Sequence, residues 1–392
     1  MIHIDGRDHV LMPGSTIGVL GGGQLGRMMA LAGTNLGYRF VTLDPTPDAP
    51  CGQVAQQITA AYDDIESAKK LAKRSDVITY EFENVDSNVA ALLEKESYVP
   101  QGSRLLYTTQ HRLREKRAIE AAGVKVAPYA EIQSEDDLQL AVERLGIPAV
   151  LKTATGGYDG KGQWVIRSET EIAEAYSTLA KASTELVLEQ FIAFERELSV
   201  IVARSPRGEL STFPVSENIH VDNILHISIV PARIPQEIQN RAQQLAAQVA
   251  ESMEAAGLLA VEMFLTGDGE LYVNELAPRP HNSGHYTMDA CVTSQFEQHV
   301  RAICNLPLGK TNLLTPVVMV NILGEHLEAV VERLGTSDDT ADRLGVVPKL
   351  HLYGKKEAKE KRKMGHINLL CRDVEDGLDW IHETNIWRKI NR

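Results

Sequence analysis

Short apolar runs alternate with amphipathic segments over the first 110 residues of the chain. Segments 27–36 and 65–73 carry apolar residues at helical spacing. Three runs have the length and composition of buried strands: Thr16–Leu20, 40–43 and Val77–Tyr80. This alternation predicts a doubly wound parallel sheet, and therefore a Rossmann-like α/β domain over residues 1–110. Residues 1–12 precede the first strand, and we expect them to be an extension of that domain.

The pattern changes after a charged helix that is predicted over residues 110–122. Further helices are predicted at 136–145, 169–182 and 235–256, and strands at 148–151, 164–166, 185–189, 197–203, 210–214, 259–265 and 270–276. Neighbouring strands with interspersed helices predict an α+β domain over residues 111–310. A strand at 316–323, a helix near 326–333 and a basic segment at 355–363 indicate a small third domain over 311–392.

Composition narrows the class of protein. The 392 residues carry a net charge of −13, which argues against a nucleic-acid-binding surface but is compatible with phosphorylated small molecules. No apolar run approaches the roughly 20 residues that a membrane span needs. The four cysteines have no CxxC spacing, and we therefore predict a reduced, cytoplasmic protein.

The loop over residues 156–162 contains four glycines. It joins two apolar runs, so we expect a β-hairpin whose loop is longer than a turn requires. Such a loop can place backbone N–H groups and the Lys161 ammonium over a polyphosphate. Lys152, on the incoming strand, is positioned to reach the same phosphates. A flexible surface hairpin is the alternative interpretation.

An earlier glycine loop, over residues 21–26, fits the pattern G-x-G-x-x-G between a strand and a helix. With Asp44 at the end of the next strand, the pattern is typical of a dinucleotide site in which the carboxylate binds a ribose. The same geometry binds any anion at a helix N-terminus. The loop therefore supports the Rossmann-like domain, and an NAD-dependent dehydrogenase stays as an alternative function.

Two glutamates, Glu262 and Glu275, lie on the strands of a predicted hairpin around residues 266–269. With a two- or four-residue loop, residue 262 pairs with residue 273, and Glu275 then lies diagonally from Glu262 on the same face, about 7–8 Å away at the backbone. Mg²⁺ binds a few carboxylates together with nucleotide phosphate oxygens. A three-residue loop or a bulge would break this register. Two solvated strand glutamates are the alternative, although their apolar neighbours favour a metal or an arginine partner.

These residues together carry a family resemblance. The order Lys152, 156–163, 189–192, Glu197, Glu262 and Asn274-Glu275 resembles that of ATP-grasp enzymes. With segments 22–28, 282–285 and 362–366 added, the chain resembles the N5-carboxyaminoimidazole ribonucleotide synthase family from about Thr16 to the C-terminus. The resemblance implies an ATP-grasp domain over 111–310 with a glycine-rich lid over 150–190. It also implies an N-terminal preATP-grasp domain and a small C-terminal domain.

The resemblance implies that the enzyme binds ATP and Mg²⁺. In such enzymes the lysine on the lid strand contacts the phosphates, the segment equivalent to 189–192 bonds the adenine edge through backbone groups, and Glu197 would hold the ribose. One or two Mg²⁺ ions would be held by Glu262 and Glu275. The implied ATP contacts are Arg112, Lys152, Gly157, Tyr158, Asp159, Gly160, Lys161, Gly162, Gln163, Glu189, Gln190, Phe191, Ile192, Glu197, His220, Asn274 and Glu275.

The implied reaction converts ATP, bicarbonate and 5-aminoimidazole ribonucleotide into ADP, phosphate and the N5-carboxylated product through carboxyphosphate. We expect Arg279 and His281 to position bicarbonate, and Tyr158 and Asp159 to lie near the acceptor. A homodimer is a further expectation. A formate-dependent ribonucleotide transformylase and a catalytically silent ATP-binding protein are the remaining alternatives.

The acceptor ribonucleotide is expected to contact both terminal domains. The basic segment would bind its 5′-phosphate, although a solvated helix face is the alternative interpretation of that segment. Where the family often has Arg-Pro-Gly before the Arg-Lys pair, this chain has Lys359-Glu360-Lys361. The expected acceptor contacts are Gln24, Leu25, Glu81, Asn84, Lys355, Arg362 and Lys363.

Overall fold

The computed structural model describes residues 10–157, 160–333 and 338–388, apart from the Ser87 side chain. Most of the predicted N-terminal extension (residues 1–9) lies outside these ranges, as do Tyr158 and Asp159.

The N-terminal domain is built on a four-stranded parallel sheet with the strand order β3-β2-β1-β4. This confirms the doubly wound sheet predicted from the alternating pattern. The apolar runs of β1 and β4 are almost fully buried, because helices cover both faces of a parallel sheet. The elements are β1 (Thr16–Leu20), α1 (Gln24–Asn35), β2 (Arg39–Asp44), β3 (Gln56–Thr59), α2 (Ile65–Lys73), β4 (Val77–Tyr80), α3 (Ser87–Glu96), α4 (Gly102–Thr109) and α5 (Arg112–Ala121).

A second, antiparallel sheet has the order β5-β8-β6-β7 and carries the glycine-rich loop. Its hairpin pairs Ala149 with Ile166 and Lys152 with Gln163, so Lys152 lies at the loop end of the strand. Two helices pack on this sheet around an apolar core. The elements are β5 (Tyr129–Ile132), α6 (Glu135–Leu145), β6 (Ala149–Thr153), β7 (Gln163–Ile166), α7 (Ile172–Leu179) and β8 (Leu186–Gln190).

The largest sheet has nine strands in the order β14-β13-β9-β11-β12-β15-β17-β16, with β10 paired to β9. Strand β15 pairs with β12, so the predicted boundary between residues 310 and 311 falls within one continuous sheet. The strands are β9 (Phe194–Arg204), β10 (Leu210–Thr212), β11 (Ser216–Val221), β12 (Ile224–Val230), β13 (Gly257–Thr266), β14 (Leu271–Ala277), β15 (Val317–Leu323), β16 (Val347–Leu352) and β17 (Lys363–Leu370). The helices are α8 (Gln236–Ser252), α9 (Thr287–Ala290), α10 (Gln295–Ile303), α11 (Leu327–Arg333), α12 (Asp339–Leu344) and α13 (Val374–Thr384).

Several predicted boundaries differ from the structure. Helix α1 begins three residues before the predicted start at 27, because glycine-rich residues open it. The predicted helix 169–182 is a 3₁₀ turn followed by α7, which ends at Leu179. Helices α3 and α4 and the hairpin of β11 and β12 were not predicted.

Two further expectations concern the whole chain. Within the described ranges, every helix is too short or too polar to cross a bilayer. Each of the four cysteines is a buried free thiol: Cys51, Cys291, Cys304 and Cys371.

Candidate functional site

A cleft of about 490 Å³ opens between the antiparallel sheet and the nine-stranded sheet. Residues from the N-terminal domain and from β17 close its ends. Most of the predicted site residues line this one cleft: Asn84, Arg112, Lys152, Gly157, Gly160, Lys161, Gln163, Glu189, Gln190, Phe191, Ile192, Glu197, His220, Glu262, Asn274, Glu275, Arg279, His281 and Lys363. The cleft therefore brings together segments that are far apart in the sequence.

A buried carboxylate between two lysines forms the base of the cleft. Glu189 on β8 lies 2.9 Å from the Lys152 ammonium and 3.1 Å from that of Lys116 on α5. Burial alone raises the pKa of the Glu189 carboxyl, but the two ammonium groups outweigh it and lower the pKa to about 2. Burial lowers the pKa of Lys152, and Glu189 opposes that shift. Lys152 and Glu189 line the cleft, and the second lysine, Lys116, lies buried behind Glu189 and offsets its negative charge, which favours a polyphosphate in the cleft.

The glycine-rich loop lies over this charged group. Gly162 has a φ of +72°, and a Cβ there would lie 2.6 Å from the Thr153 hydroxyl. Gly160 has a φ of +77°, and a Cβ would lie 2.4 Å from the Asn223 amide. Both positions therefore require glycine, since a side chain would be strained and would collide. Gly162 supports the loop from behind, whereas Gly157, Gly160 and Lys161 face the cleft.

Residues 189–192 run from Glu189, which lies between the two lysines, to just beyond the end of β8. The N–H groups of Gln190 and Phe191 donate to the carbonyls of Pro128 and Pro148, at 2.8 and 3.2 Å. Those two donors are engaged within the protein, so an adenine edge would be bonded by other backbone groups of the segment. The carboxylate of Glu197 lies 3.0 Å from His220 and lines the same end of the cleft.

The carboxylate pair has a different register from the predicted one. Residue 265 pairs with 271 rather than with 270, and Glu262 lies directly opposite Glu275. A bulge on β14 inserts Asn274 between the residues that face Met263 and Glu262. The hairpin turn and the bulge each shift the register by one residue in the same direction, and a total shift of two residues leaves both carboxylates on one face as predicted, but as opposed rather than diagonal neighbours. Opposed residues are about 4.5–5.5 Å apart at the backbone, which is closer than predicted.

Each member of the carboxylate pair has a basic side chain as its neighbour. Glu262 lies 3.0 Å from the His281 imidazole, and Glu275 lies 3.5 Å from the Arg112 guanidinium. Burial alone raises the pKa of Glu262, but the hydrogen bond with His281 and nearby positive charges lower it to about 2. Glu262 is therefore ionised, and two carboxylates that line one cleft have the donor chemistry that Mg²⁺ takes.

Arg279 and His281 are fixed by residues from other elements. The Arg279 guanidinium forms a two-point contact with Glu83, which follows β4. Gln295 on α10 accepts from the His281 N–H at 2.9 Å and donates to the His281 carbonyl at 2.8 Å. Burial alone raises the pKa of Glu83, but Arg279 outweighs it and lowers the pKa to about 2. Both predicted bicarbonate residues thus have defined positions at the carboxylate end of the cleft.

The first glycine loop is occupied by carboxylates of its own domain. The N–H groups of Gly23 and Gly26 donate to Glu81, and that of Gly22 donates to Asp44 at 2.8 Å. Burial raises the pKa of Glu81 to about 7, although the two N–H groups act against it. A dinucleotide pyrophosphate would need these same donors, so the NAD interpretation does not fit this loop.

The other predicted acceptor residues lie around this loop and on the basic segment. Leu25 packs in the core of the N-terminal domain, so only its backbone is available to a ligand. The Lys355 ammonium donates to the Lys363 carbonyl at 2.8 Å, and burial together with Arg362 and Lys363 lowers its pKa to about 8. Arg362 donates to the Glu357 carbonyl at 3.0 Å.

The basic segment is irregular from 353 to 362, so the helical alternative is wrong. Lys359 pairs with exposed Glu357, and Lys361 pairs with Asp222. Five predicted acceptor residues are outside the lining of the main cleft: Gln24, Leu25, Glu81, Lys355 and Arg362.

Sequence reasoning missed several residues that shape the cleft. Glu83 lies within the polar run after β4 that supplied Glu81 and Asn84, so that run was a signal for it. Lys116 and Glu115 belong to a charged helix that was taken as a link, and the Glu115 carboxylate accepts from the Leu276 N–H at 2.9 Å. Lys116 and Glu115 were missed because their roles depend on contacts with residues that are far away in the sequence.

Comparison with known proteins gives a consistent result for all three regions. The ATP-grasp domain matches residues 117–296, the ribonucleotide synthetase preATP-grasp domain matches 14–110, and the phosphoribosylaminoimidazole carboxylase C-terminal domain matches 317–379. The N5-carboxyaminoimidazole ribonucleotide synthase of Bacillus subtilis is 53% identical over 96% of this chain and 97% of its own.

Solved structures show the same similarity. A crystal structure of the ADP complex of an N5-carboxyaminoimidazole ribonucleotide synthetase is 56% identical, with a TM-score of 0.92 over 97% of this chain and 99% of the other. The Aspergillus clavatus enzyme, in complex with ADP and 5-aminoimidazole ribonucleotide, is 30% identical, with a TM-score of 0.87 over 96% of this chain and 99% of its own.

Proposed function

This chain belongs to the N5-carboxyaminoimidazole ribonucleotide synthase family, and from that membership we propose how its cleft performs the family's reaction. It is an ATP-dependent ligase of purine biosynthesis that carboxylates 5-aminoimidazole ribonucleotide. The observation that carries the site assignment is the single cleft shared by Lys152, the carboxylate pair and Arg279. Phosphate activation and carboxyl transfer can therefore take place in one enclosed volume.

ATP lies with its phosphates beneath the glycine-rich loop and its base near residues 189–192. Lys152, which contacts Glu189, and Arg112, which contacts Glu275, neutralise phosphate charge. Glu197 and His220 hold the ribose end, and Lys161 closes over the phosphates. Gly162 supports the loop, while Tyr158 and Asp159 are proposed to lie near the acceptor.

Glu262 and Glu275 would hold Mg²⁺, with Asn274 on the β14 bulge as their neighbour. When bound, the ion would supply positive charge for the transferring phosphoryl group. His281 faces Glu262 and lowers its pKa, and Arg112 faces Glu275 at 3.5 Å, so each carboxylate is oriented by one neighbour.

Carboxylation proceeds through carboxyphosphate. A bicarbonate oxygen attacks the γ-phosphorus of ATP, the bond to the β-phosphate oxygen breaks, and ADP leaves. The exocyclic amine of the ribonucleotide then attacks the carboxyl carbon, loses a proton and displaces phosphate. Arg279 and His281 hold the bicarbonate oxygens in line with the phosphoryl group, which reduces the entropic barrier to the first step.

The acceptor ribonucleotide binds between the first glycine loop and the basic segment. Lys355, Arg362 and Lys363 supply positive charge for its 5′-phosphate, and the charge of Glu81 acts on Lys355. Gln24, Asn84 and the backbone of Leu25 complete the pocket. This arrangement brings the acceptor amine toward the Arg279 end of the cleft, where Lys363 and Asn84 both lie.

Phosphate release from ATP, measured with and without each of the other two substrates, tests the function. We expect full turnover only with both bicarbonate and 5-aminoimidazole ribonucleotide, and no turnover when formate replaces bicarbonate. Stimulation by formate, or an ATPase rate that the ribonucleotide leaves unchanged, would contradict the proposal.

We further propose that the enzyme works as a homodimer in the cytoplasm. The four buried free thiols suit a reducing compartment. Light scattering is expected to give twice the mass of one chain, and the mass of a single chain would contradict the dimer.

A further inference from the structure

Arg279 is held by a carboxylate that belongs to a different domain. The Glu83 oxygens accept from Nε and from Nη2 of Arg279, the latter at 3.1 Å. The Arg279 side chain is 16% exposed and that of Glu83 is 33% exposed, so the pair is largely screened from water. A two-point contact fixes the plane of a guanidinium as well as its position.

The loop that carries Glu83 is itself anchored. The Gln110 side-chain amide donates to the Glu83 carbonyl at 2.6 Å and to the Val85 carbonyl at 2.7 Å. The loop begins directly after β4, and its first residue, Glu81, accepts from the N–H groups of the first glycine loop. Glu83 is therefore tied to the domain on which the acceptor is proposed to bind.

The backbone next to Arg279 is also held by the N-terminal domain. Gln101, in the N-terminal domain, donates to the Pro278 carbonyl at 2.9 Å. The Arg279 Nη1 donates to the Pro280 carbonyl at 3.1 Å. These contacts fix the backbone on both sides of Arg279. The two-point contact with Glu83 then determines the direction in which the guanidinium faces the cleft.

We propose that Glu83 is a positioning residue that aligns Arg279 for the reaction of bicarbonate, and so couples the N-terminal domain to carboxyphosphate formation. This rests on the proposed role of Arg279 in holding bicarbonate. Glu83 acts through the guanidinium, because both of its carboxylate oxygens are engaged by Arg279. The positive charge of Arg279 attracts the anion, and Glu83 supplies its orientation.

Glu83→Gln separates orientation from charge. Its amide keeps the size of the side chain but places an N–H group against an arginine donor, so the two-point contact is lost. Because Arg279 keeps its charge, we expect kcat to fall about 10- to 100-fold while the KM for bicarbonate stays unchanged or falls. Glu83→Asp restores a carboxylate and is expected to recover part of the loss. Arg279→Ala, in contrast, should raise the KM for bicarbonate.

A double-mutant cycle with Arg279→Lys tests whether Glu83 acts through Arg279. A lysine cannot form the two-point contact, so Glu83→Gln should have little further effect in that background. Glu217→Gln is a matched control, because Glu217 forms a similar two-point contact with Arg233 away from the cleft, at 2.7 and 3.2 Å. We expect it to leave kcat near the wild-type value.

ADP titration and thermal unfolding establish that each variant is folded. Independent, multiplicative effects of the two substitutions would overturn the inference, as would wild-type kcat in Glu83→Gln or a selective rise in the KM for 5-aminoimidazole ribonucleotide. If Arg279→Ala leaves all kinetic constants unchanged, the proposed role of Arg279 fails. If Arg279→Ala is impaired but the cycle shows no coupling, only the role of Glu83 fails.

Discussion

The molecule contains two glycine loops that look alike in sequence but meet different anions. In the loop at 21–26, the N–H groups donate to Glu81 and Asp44 of the same domain. In the loop at 156–162, Gly156, Gly157 and Gly160 line a cleft together with Lys152, whose partner Glu189 also contacts the buried Lys116. A glycine loop after a strand therefore indicates that an anion is bound there, but the surrounding charge decides whether the anion is a side chain or a ligand.

Close approach explains why both loops need glycine. At Gly23 a Cβ would lie 2.7 Å from the Glu81 carboxylate, and at Gly162 it would lie 2.6 Å from the Thr153 hydroxyl. The first contact holds an internal carboxylate against a helix N-terminus, and the second shapes the hairpin loop. The two loops should therefore respond differently to substitution.

The largest expected difference concerns the cation beside each loop. Lys152→Met should lower kcat about 10²- to 10³-fold, because it removes positive charge from the transferring phosphoryl group. Arg27→Met is the matched control, since Arg27 lies beside the first loop and donates to the Pro50 carbonyl at 3.1 Å. Steady-state phosphate release should show an unchanged KM for ATP in Arg27→Met. Equal losses in both variants would erase the distinction between the loops.

Substituting alanine for Gly162 or for Gly23 is expected to have a smaller effect, which appears in KM rather than in kcat. Gly162→Ala adds about 1–2 kcal/mol of backbone strain at a φ of +72°, and should raise the KM for ATP about tenfold. Gly23→Ala displaces Glu81 and should raise the KM for 5-aminoimidazole ribonucleotide while leaving that for ATP unchanged. Initial rates with each substrate varied in turn provide the check. A higher KM for ATP in Gly23→Ala would place the nucleotide at the wrong loop.

The smallest expected effect is a pH dependence at the first loop. The folded state raises the pKa of Glu81 from 4.5 to about 7, mainly through burial. The folded protein therefore binds more protons between these values, and the stability contributed by Glu81 is present below pH 4.5 and is lost as the pH rises through 7. Urea unfolding should show wild type losing stability relative to Glu81→Gln between pH 5 and 7.5. A wild type that gains stability relative to Glu81→Gln over this pH range would contradict this sign.

The local pattern of apolar and polar residues was sufficient to predict much of the fold. Helix α2 and strands β1 and β4 have the predicted bounds, because each is a complete apolar or amphipathic run with a clear end. Helix α3 was missed, although Asp86 caps it by accepting from the N–H groups of Asn88 and Val89. The sequence contains the capping residue, but a cap alone does not show that the helix packs on the sheet, as α3 does.

The site was predictable where one segment carries its own chemistry. The lid glycines and the carboxylate pair fall in this group, although the bulge at Asn274 could not be read from periodicity. The contacts of Glu83 with Arg279 and of Lys116 with Glu189 join residues separated by 196 and 73 positions in sequence. Such contacts depend on how the sheets pack, which no local pattern determines.

The continuous nine-stranded sheet constrains how the enzyme can change shape. Strands β13 and β14, which carry the carboxylate pair, and β17, which begins at Lys363, belong to one hydrogen-bonded array. Moving these strands relative to one another would require breaking hydrogen bonds within the array. The four-stranded sheet that bears the glycine-rich loop is a separate array. A displacement of the smaller sheet would therefore move the glycine-rich loop relative to the carboxylate pair while leaving both arrays intact.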